Sequence, residues 1–133
     1  MKYKFLVLTF VIILIDQLTK FLVRGIHKDF GFFSLNYTVN SGALFGLFQG
    51  MNMVFIVLSL VILGFILFYL YKEKKNYFGV SFLIAGLVGN LIDRVVLGHV
   101  IDFLDFKIWP VFNVADSALV LGVIILLISL KKD

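Results

Sequence analysis

The chain lacks residues on which many catalytic sites depend. Its 133 residues include no cysteine, one proline and two histidines. The absence of cysteine excludes disulfides, thiolate nucleophiles and cysteine-ligated metal or cluster sites. The only imidazoles, His27 and His99, are far apart in the sequence.

Charge is scarce as well, and long apolar runs take its place. Charged residues make up 15% of the chain and hydrophobic residues 62%, whereas a soluble domain has about 25% and 45–50%. Each of four apolar runs is close to the length of about 20 residues that crosses a bilayer as a helix. We therefore predict an all-α membrane protein of one domain over residues 1–133, with spans at roughly 5–23, 51–71, 77–96 and 111–130.

Basic residues predict the orientation of these spans. Seven of the 12 lysines and arginines fall on one side of the predicted bundle: Lys2, Lys4, Lys72, Lys74, Lys75, Lys131 and Lys132. By the positive-inside rule this side is cytoplasmic, so both termini are expected there. The other side carries six of the eight acids: Asp16, Asp29, Asp93, Asp102, Asp105 and Asp116. No small-residue cleavage site follows the first run, so we expect it to be retained as a span.

The connections between the spans are not plainly polar. Apolar and polar residues alternate over Phe33–Asn40, which is the period of a half-buried strand. The glycine-rich run Gly42–Phe48 predicts a short interfacial helix or turn. We expect the connection Leu97–Pro110, with Trp109, to fold back toward the membrane.

Two acids near the C-terminus are candidates for an acid–base pair. Asn113 is a plausible helix N-cap, and Asp116 would then lie at the positive end of the helix dipole, which favours its ionised form. Asp102 lies among apolar residues, which favour the neutral form. Two carboxyls that differ in this way can share a proton and activate water. Alternatively, Asp116 only caps its helix and Asp102 is a solvated loop acid. Chemistry alone does not separate Asp102 from Asp105.

Asp16 and Lys20 are four residues apart and share a helical face. We favour an ion pair that pins the first span over a direct catalytic role. Lys20 is expected near the outer interface, where it can snorkel.

Further polar residues gather near the outer end of the third predicted span. Asn90 shares a helical face with Asp93 and Arg94, and we favour a site-lining role for the three over a helix-end anchor. In the loop, Asn40 and Gly42 fit ordinary turn chemistry better than ligand binding when taken alone.

Five segments in order resemble the signal peptidase II family, the prolipoprotein signal peptidases of bacteria. Each is weak alone, but their order within a predicted four-span protein is specific. The segments are Asp16–Lys20, Asn40–Ala43, Gly89–Arg94, Val100–Phe103 and Phe112–Ser117.

The resemblance implies an aspartyl endopeptidase of the bacterial cytoplasmic (inner) membrane, acting on its extracytoplasmic side. It implies cleavage of prolipoproteins just before a cysteine that carries diacylglycerol, by the catalytic pair Asp102 and Asp116. It thereby favours Asp102 over Asp105. We expect Asp116 to be the general base on a water held between the two acids. An extracytoplasmic β-cradle and a short helix over the site are implied too.

The resemblance also implies roles for the other polar residues. Positions that match residues around the substrate or the inhibitor globomycin are Asn40, Asn90, Arg94 and Asn113, with Gly42 and Asp93 in the same motifs. Asp16 and Lys20 match a supporting pair. The expected partners are diacylglyceryl-modified prolipoproteins, membrane lipid and globomycin-type inhibitors. We expect a monomer without nucleic acid, metal or other cofactor.

A proton-coupled transporter or channel is the competing class, because intramembrane acids also relay protons. Against it, the acids cluster at one face instead of forming a path across the bilayer. A non-enzymatic scaffold, packed through small residues such as Gly42 and Gly46, is a third possibility.

Overall fold

Four helices and three strands make up the described part of the chain. In this computed structural model the described residues are 2–42, 47–73 and 77–130. In chain order the elements are α1 (Lys2–Leu22), β1 (His27–Asp29), β2 (Ser34–Asn40), α2 (Asn52–Glu73), α3 (Tyr77–Leu97), β3 (Val100–Asp105) and α4 (Val114–Leu130). The lysines at 74–75 and 131–132, used for the predicted orientation, lie outside these ranges.

Among the described helices, α1, α2 and α3 are long and apolar enough to cross a membrane. The helix α4 is apolar but has 17 residues. The predicted fourth span began at Val111, whereas α4 begins at Val114, because Phe112 forms a β-bridge with Leu104 and stays extended. The structure is therefore mostly helical with three helices of spanning length, and a fourth span remains a prediction.

The helix α3 is the centre of the bundle and packs against α1, α2 and α4. Small residues bring α3 and α4 close together, as is common between membrane helices. A Cβ atom at Gly86 would lie 2.5 Å from the carbonyl oxygen of Ala115, and one at Gly122 would lie 2.9 Å from the nitrogen of Leu83. This close packing fixes where the first turn of α4 lies against α3.

The distribution of polar residues is the reverse of that in a soluble domain. Large apolar side chains are exposed on the outer faces of the helices; Phe65, for example, is 72% exposed. Buried polar and charged side chains collect near one end of the bundle instead: Asp16, Lys20, Asn90, Asp93, Asp102 and Asn113. Such burial is costly in a membrane protein and marks a functional site.

A small antiparallel sheet in the order β1-β2-β3 covers that end. The strand β2 confirms the strand predicted from the alternating segment. In its pairing with β3, Thr38 lies opposite Asp102 and Asn40 lies opposite Val100. Part of the helix or turn predicted over 42–48 lies outside the described residues, and residues 47–50 form a turn. The sheet brings Asn40 and Asp102 to the end of the bundle where the polar residues are buried.

Candidate active site

One cavity of about 210 Å³ opens where the sheet meets the helix ends. Its polar lining residues are Asn40, Gly42, Ser59, Asn90, Arg94, Asp102 and Asp116. Its apolar lining residues are Phe55, Leu87, Val100 and Leu119. The cavity therefore has two carboxyl groups at one end and an apolar wall from α2, α3 and α4.

Asp102 enters the cavity from β3 and is 4% exposed. Its Oδ2 atom accepts a hydrogen bond of 3.0 Å from Nδ2 of Asn40, which lies diagonally across the strand pair. Its Oδ1 atom accepts a bond of 2.8 Å from Nδ2 of Asn113. Burial and the nearby charge of Asp116 raise the pKa of Asp102 to about 7, since both disfavour the charged form. The carboxyl group is therefore able to hold a proton near neutral pH.

Asp116 enters from the first turn of α4, and a capping box fixes its position. The Oδ1 atom of Asn113 accepts a bond of 2.8 Å from the backbone nitrogen of Asp116. In return, Oδ2 of Asp116 accepts one of 3.1 Å from the backbone nitrogen of Asn113. This reciprocal pattern is the capping box, and it confirms the predicted N-cap. Asn90 donates from Nδ2 to the other oxygen of Asp116, at 2.8 Å.

Asn113 joins the two acids. It is fully buried, and its Nδ2 atom lies within hydrogen-bond distance of Asp102, of Oδ1 of Asn90 at 3.0 Å and of the Ile101 carbonyl at 3.1 Å. Because its Oδ1 atom is occupied by the helix cap, the amide can present only its nitrogen to Asp102. Both acids thus contact one rigidly held residue and line the same cavity.

A buried ionic cluster lies behind this pair. The Lys20 ammonium is 2.8 Å from Asp16, 2.9 Å from Asp93 and 3.2 Å from Oδ1 of Asn90. The expected snorkelling of Lys20 is wrong: the side chain is 2% exposed, because three acceptors inside the bundle take the three ammonium hydrogens. Gln17 donates to both acids, at 3.1 Å to Asp16 and at 3.0 Å to Asp93. Asp16 and Lys20 do not line the cavity.

The two carboxylates of the cluster also hold backbone groups next to the cavity. Oδ1 of Asp16 accepts a bond of 2.7 Å from the nitrogen of Ala115, and Oδ2 of Asp93 accepts one of 3.0 Å from the nitrogen of Ile101. Asn90 and Asp93 thus share a partner in Lys20, as their common helical face predicts.

Arg94 points to the opposite side, into the cavity. Its guanidinium carbon lies 5.2 Å from the centre of the Phe55 ring. Its Nη2 atom donates to the Gly42 carbonyl at 3.4 Å, whereas the buried Nε has no hydrogen-bond partner among the residues described. Asn40 accepts a bond of 2.9 Å from the Gly42 nitrogen. Asn40 therefore both forms the predicted turn and lines the cavity.

Asp105 lies elsewhere. Its Oδ1 atom accepts a bond of 2.9 Å from the backbone nitrogen of Lys107, and the residue lines an outer groove with His27 and Asp29. Within ranges 2–42, 47–73 and 77–130, no three His, Cys, Asp or Glu residues are arranged to hold a metal ion.

Comparisons with known proteins agree with this arrangement. The family model of signal peptidase (SPase) II matches residues 8–132. The chain belongs to the signal peptidase II family. A lipoprotein signal peptidase of Thermodesulfovibrio yellowstonii is 42% identical, over 98% of this chain and 97% of the relative. That of Enterococcus faecalis is 42% identical over 90% and 82%, respectively.

Solved structures show the same fold. A bacterial membrane enzyme determined by the in meso method superposes with a TM-score of 0.88 at 32% identity, over 98% of this chain and 88% of that one. A second such enzyme gives a TM-score of 0.85 at 32% identity, over 98% and 94%. This member of the signal peptidase II family is therefore a protease of a multi-pass membrane type.

Sequence reasoning missed some residues of this cavity. Phe55, Ser59, Leu87, Val100 and Leu119 line the cavity but were not predicted to do so. Ser59 had a usable signal, since it is a hydroxyl in the apolar interior of α2. The four apolar residues carried no such signal in the sequence, because the same apolar residue types line cavities and face lipid.

Proposed function

We propose that the protein is an aspartic endopeptidase that removes the signal peptide from diacylglyceryl-modified prolipoproteins, just before the lipidated cysteine. Membership of the signal peptidase II family supports the substrate class. The observation that carries the aspartic mechanism is the contact of Asn113 with both Asp102 and Asp116 at one cavity.

In the proposed reaction a water molecule lies between the two carboxyls. Asp116, as carboxylate, takes a proton from the water as its oxygen bonds to the scissile carbonyl carbon. Asp102, in its protonated form, donates to the carbonyl oxygen, which gives a gem-diol. The C–N bond then breaks as the proton on Asp116 passes to the leaving amine, and Asp102 recovers its proton. The pKa of about 7 for Asp102 supports this assignment.

The apolar wall of the cavity suits a lipidated peptide. Phe55 and Ser59 come from α2, Leu87 from α3 and Leu119 from α4. The diacylglyceryl chains would remain in lipid while the peptide bond reaches the acids. Globomycin-type cyclic peptides would occupy the same cavity.

We further propose four membrane spans with both termini in the cytoplasm, and a site on the extracytoplasmic side of the bacterial inner membrane. Lys4 at the start of α1 and Lys72 at the end of α2 support this orientation. The acids collect at the opposite helix ends, and the enzyme would act as a monomer that binds no nucleic acid and needs no metal.

The test compares three variants of the purified protein, in each of which one aspartate is replaced by asparagine. Asp102→Asn and Asp116→Asn should each abolish cleavage of a diacylglyceryl-modified prolipoprotein, whereas Asp105→Asn should cleave normally. Asp105 is a matched control, because it lies on the same strand as Asp102 but outside the cavity. Near-normal cleavage by Asp102→Asn or by Asp116→Asn would exclude the mechanism.

A further inference from the structure

The buried ionic cluster touches the backbone immediately before each acid of the proposed pair. Asp16 accepts from the nitrogen of Ala115, the residue before Asp116. Asp93 accepts from the nitrogen of Ile101, the residue before Asp102. These two bonds connect α1 to α4 and α3 to β3. The two segments that carry the acids therefore depend on one pair of carboxylates.

The Lys20 ammonium holds the two carboxylates together. It lies 2.8 Å from Asp16 and 2.9 Å from Asp93. Without the ammonium that both of them contact, the two neighbouring buried carboxylates would repel each other. Lys20 therefore fixes the distance between the carboxylates, and through them the distance between the Ala115 and Ile101 backbones.

The third hydrogen of the ammonium fixes the direction of the Asn90 amide. An ammonium has only donors, so the Asn90 oxygen must face it, at 3.2 Å. The Asn90 nitrogen must then face Asp116, to which it donates at 2.8 Å. With the amide reversed, its oxygen would oppose a carboxylate oxygen. Lys20 and Nδ2 of Asn113, which lies 3.0 Å from the same oxygen, thus together direct the Asn90 nitrogen toward Asp116.

We propose that Lys20 is a positioning residue for the hydrolytic reaction, acting through Asp16, Asp93 and Asn90 to set the spacing and hydrogen bonding of both acids. This role goes beyond pinning α1 to the bundle. It rests on the proposed function, since it presumes that Asp102 and Asp116 perform the chemistry. Lys20 itself does not line the cavity.

The first variant is Lys20→Met, which removes the charge and keeps much of the side-chain length. It leaves two buried carboxylates unpaired, so it could fail to fold for that reason alone. The second variant therefore combines it with neutral isosteres, Asp16→Asn, Lys20→Met and Asp93→Asn. This triple variant leaves no unpaired charge, and its amide oxygens can still accept from Ala115 and Ile101. Replacing a buried ion cluster by neutral groups is often tolerated.

A positioning role predicts a particular kinetic pattern in the triple variant. Its melting temperature should stay near that of the wild type, whereas kcat for lipoprotein cleavage should fall about tenfold or more with KM nearly unchanged. In Lys20→Met the high-pH limb of kcat/KM should move upward, because the positive charge of Lys20 lowers the pKa of Asp102. The charged groups around Asp102 are Asp116 on α4, Lys20 on α1 and Arg94 on α3. Asp93 on α3 contacts the backbone of the preceding residue, Ile101.

Controls separate this proposal from the proposed function. Lys4→Met removes an exposed lysine from the same helix and should leave kcat unchanged. A folded triple variant with wild-type kcat would overturn the positioning role while Asp116→Asn stays inactive. Cleavage by Asp116→Asn would instead overturn the proposed function itself. If Lys20→Met fails to fold and the triple variant folds, kcat of the triple variant decides whether Lys20 has the positioning role.

Discussion

Asn113 donates a hydrogen bond of 2.8 Å to Asp102 while its own backbone nitrogen donates to Asp116 at 3.1 Å. The same residue ends the β-bridge segment and begins α4. A helix cap is thus used to place two acids from different elements against one cavity. Because every polar atom of this side chain has a partner, its orientation has no freedom.

Asn113→Asp should separate capping from site geometry. An aspartate keeps an oxygen for the cap. Its second oxygen, however, takes the place of the Nδ2 donor that faces Asp102, Asn90 and the Ile101 carbonyl. We expect cleavage to fall about 100-fold or more, the scale of losing one acid–base contribution. Ser117→Ala is the control on the same turn, since it removes only a bond to a helix carbonyl. Wild-type kcat in Asn113→Asp would show that the asparagine serves the helix alone.

The pH dependence of cleavage should follow the protonation of Asp102. The pKa is raised to about 7, so the protonated acid needed for donation is lost as pH rises through this value. The kcat/KM profile should therefore have its high-pH limb near pH 7. The hydrogen bond from Asn40 lowers this pKa, and Asn40→Ala should move the limb to higher pH.

The control for that shift is Asn36→Ala. Asn36 also lies on β2, but its amide oxygen faces His27 in the outer groove. Its removal should leave the limb in place. A limb in Asn40→Ala that moves to lower pH would contradict the assignment of Asp102 as the acid.

Gly89 is a position at which any side chain would disturb the ionic cluster. A Cβ atom there would lie 2.7 Å from Oδ2 of Asp16 and 3.1 Å from the Cβ of Ala115. We expect Gly89→Ala to lower the free energy of unfolding by about 1–3 kcal/mol, as overpacking does, and to reduce cleavage. Gly64→Ala on α2 meets no atom within 4 Å and should be neutral or slightly stabilising. A Gly89→Ala protein as stable as wild type would contradict the close packing.

Local patterns predicted the parts of the structure that depend on nearby residues. The apolar helices, the strand β2 and the N-cap at Asn113 follow from periodicity and capping rules that operate over a few positions. The partners β1 and β3 could not be predicted, because β1 has three exposed residues and β3 has buried residues on both faces. Strand pairing across the chain leaves no local signal in such segments.

Sequence reasoning named the polar residues that line the cavity, except Ser59, but not their contacts. Residue chemistry alone left Asp102 and Asp105 equivalent; the two differ because the β2–β3 register brings Asp102 beside Asn40 and leaves Asp105 at the outer groove. Lys20 was expected to snorkel, since its distance from Asp93 in the sequence hides their contact in space. Long-range ion pairs of this kind need the fold before they can be seen.

Arg94 offers the clearest test of how substrate is held. Its guanidinium lies over Phe55 and donates to the Gly42 carbonyl, and its buried Nε has no partner within the described ranges. We expect this group to donate to a backbone carbonyl of the signal peptide. A lysine would keep the charge but lose the planar fork and the stacking.

Arg94→Lys should therefore raise KM about tenfold, with kcat much less affected, because binding of the ground state is what it loses. Arg24→Lys is the matched control: its guanidinium carbon also lies over a phenylalanine, 5.4 Å from the Phe21 ring, but outside the cavity with the acids. It should cleave with wild-type constants. Steady-state kinetics with a lipid-modified peptide measure both values. An unchanged KM in Arg94→Lys would show that the guanidinium only packs against Phe55.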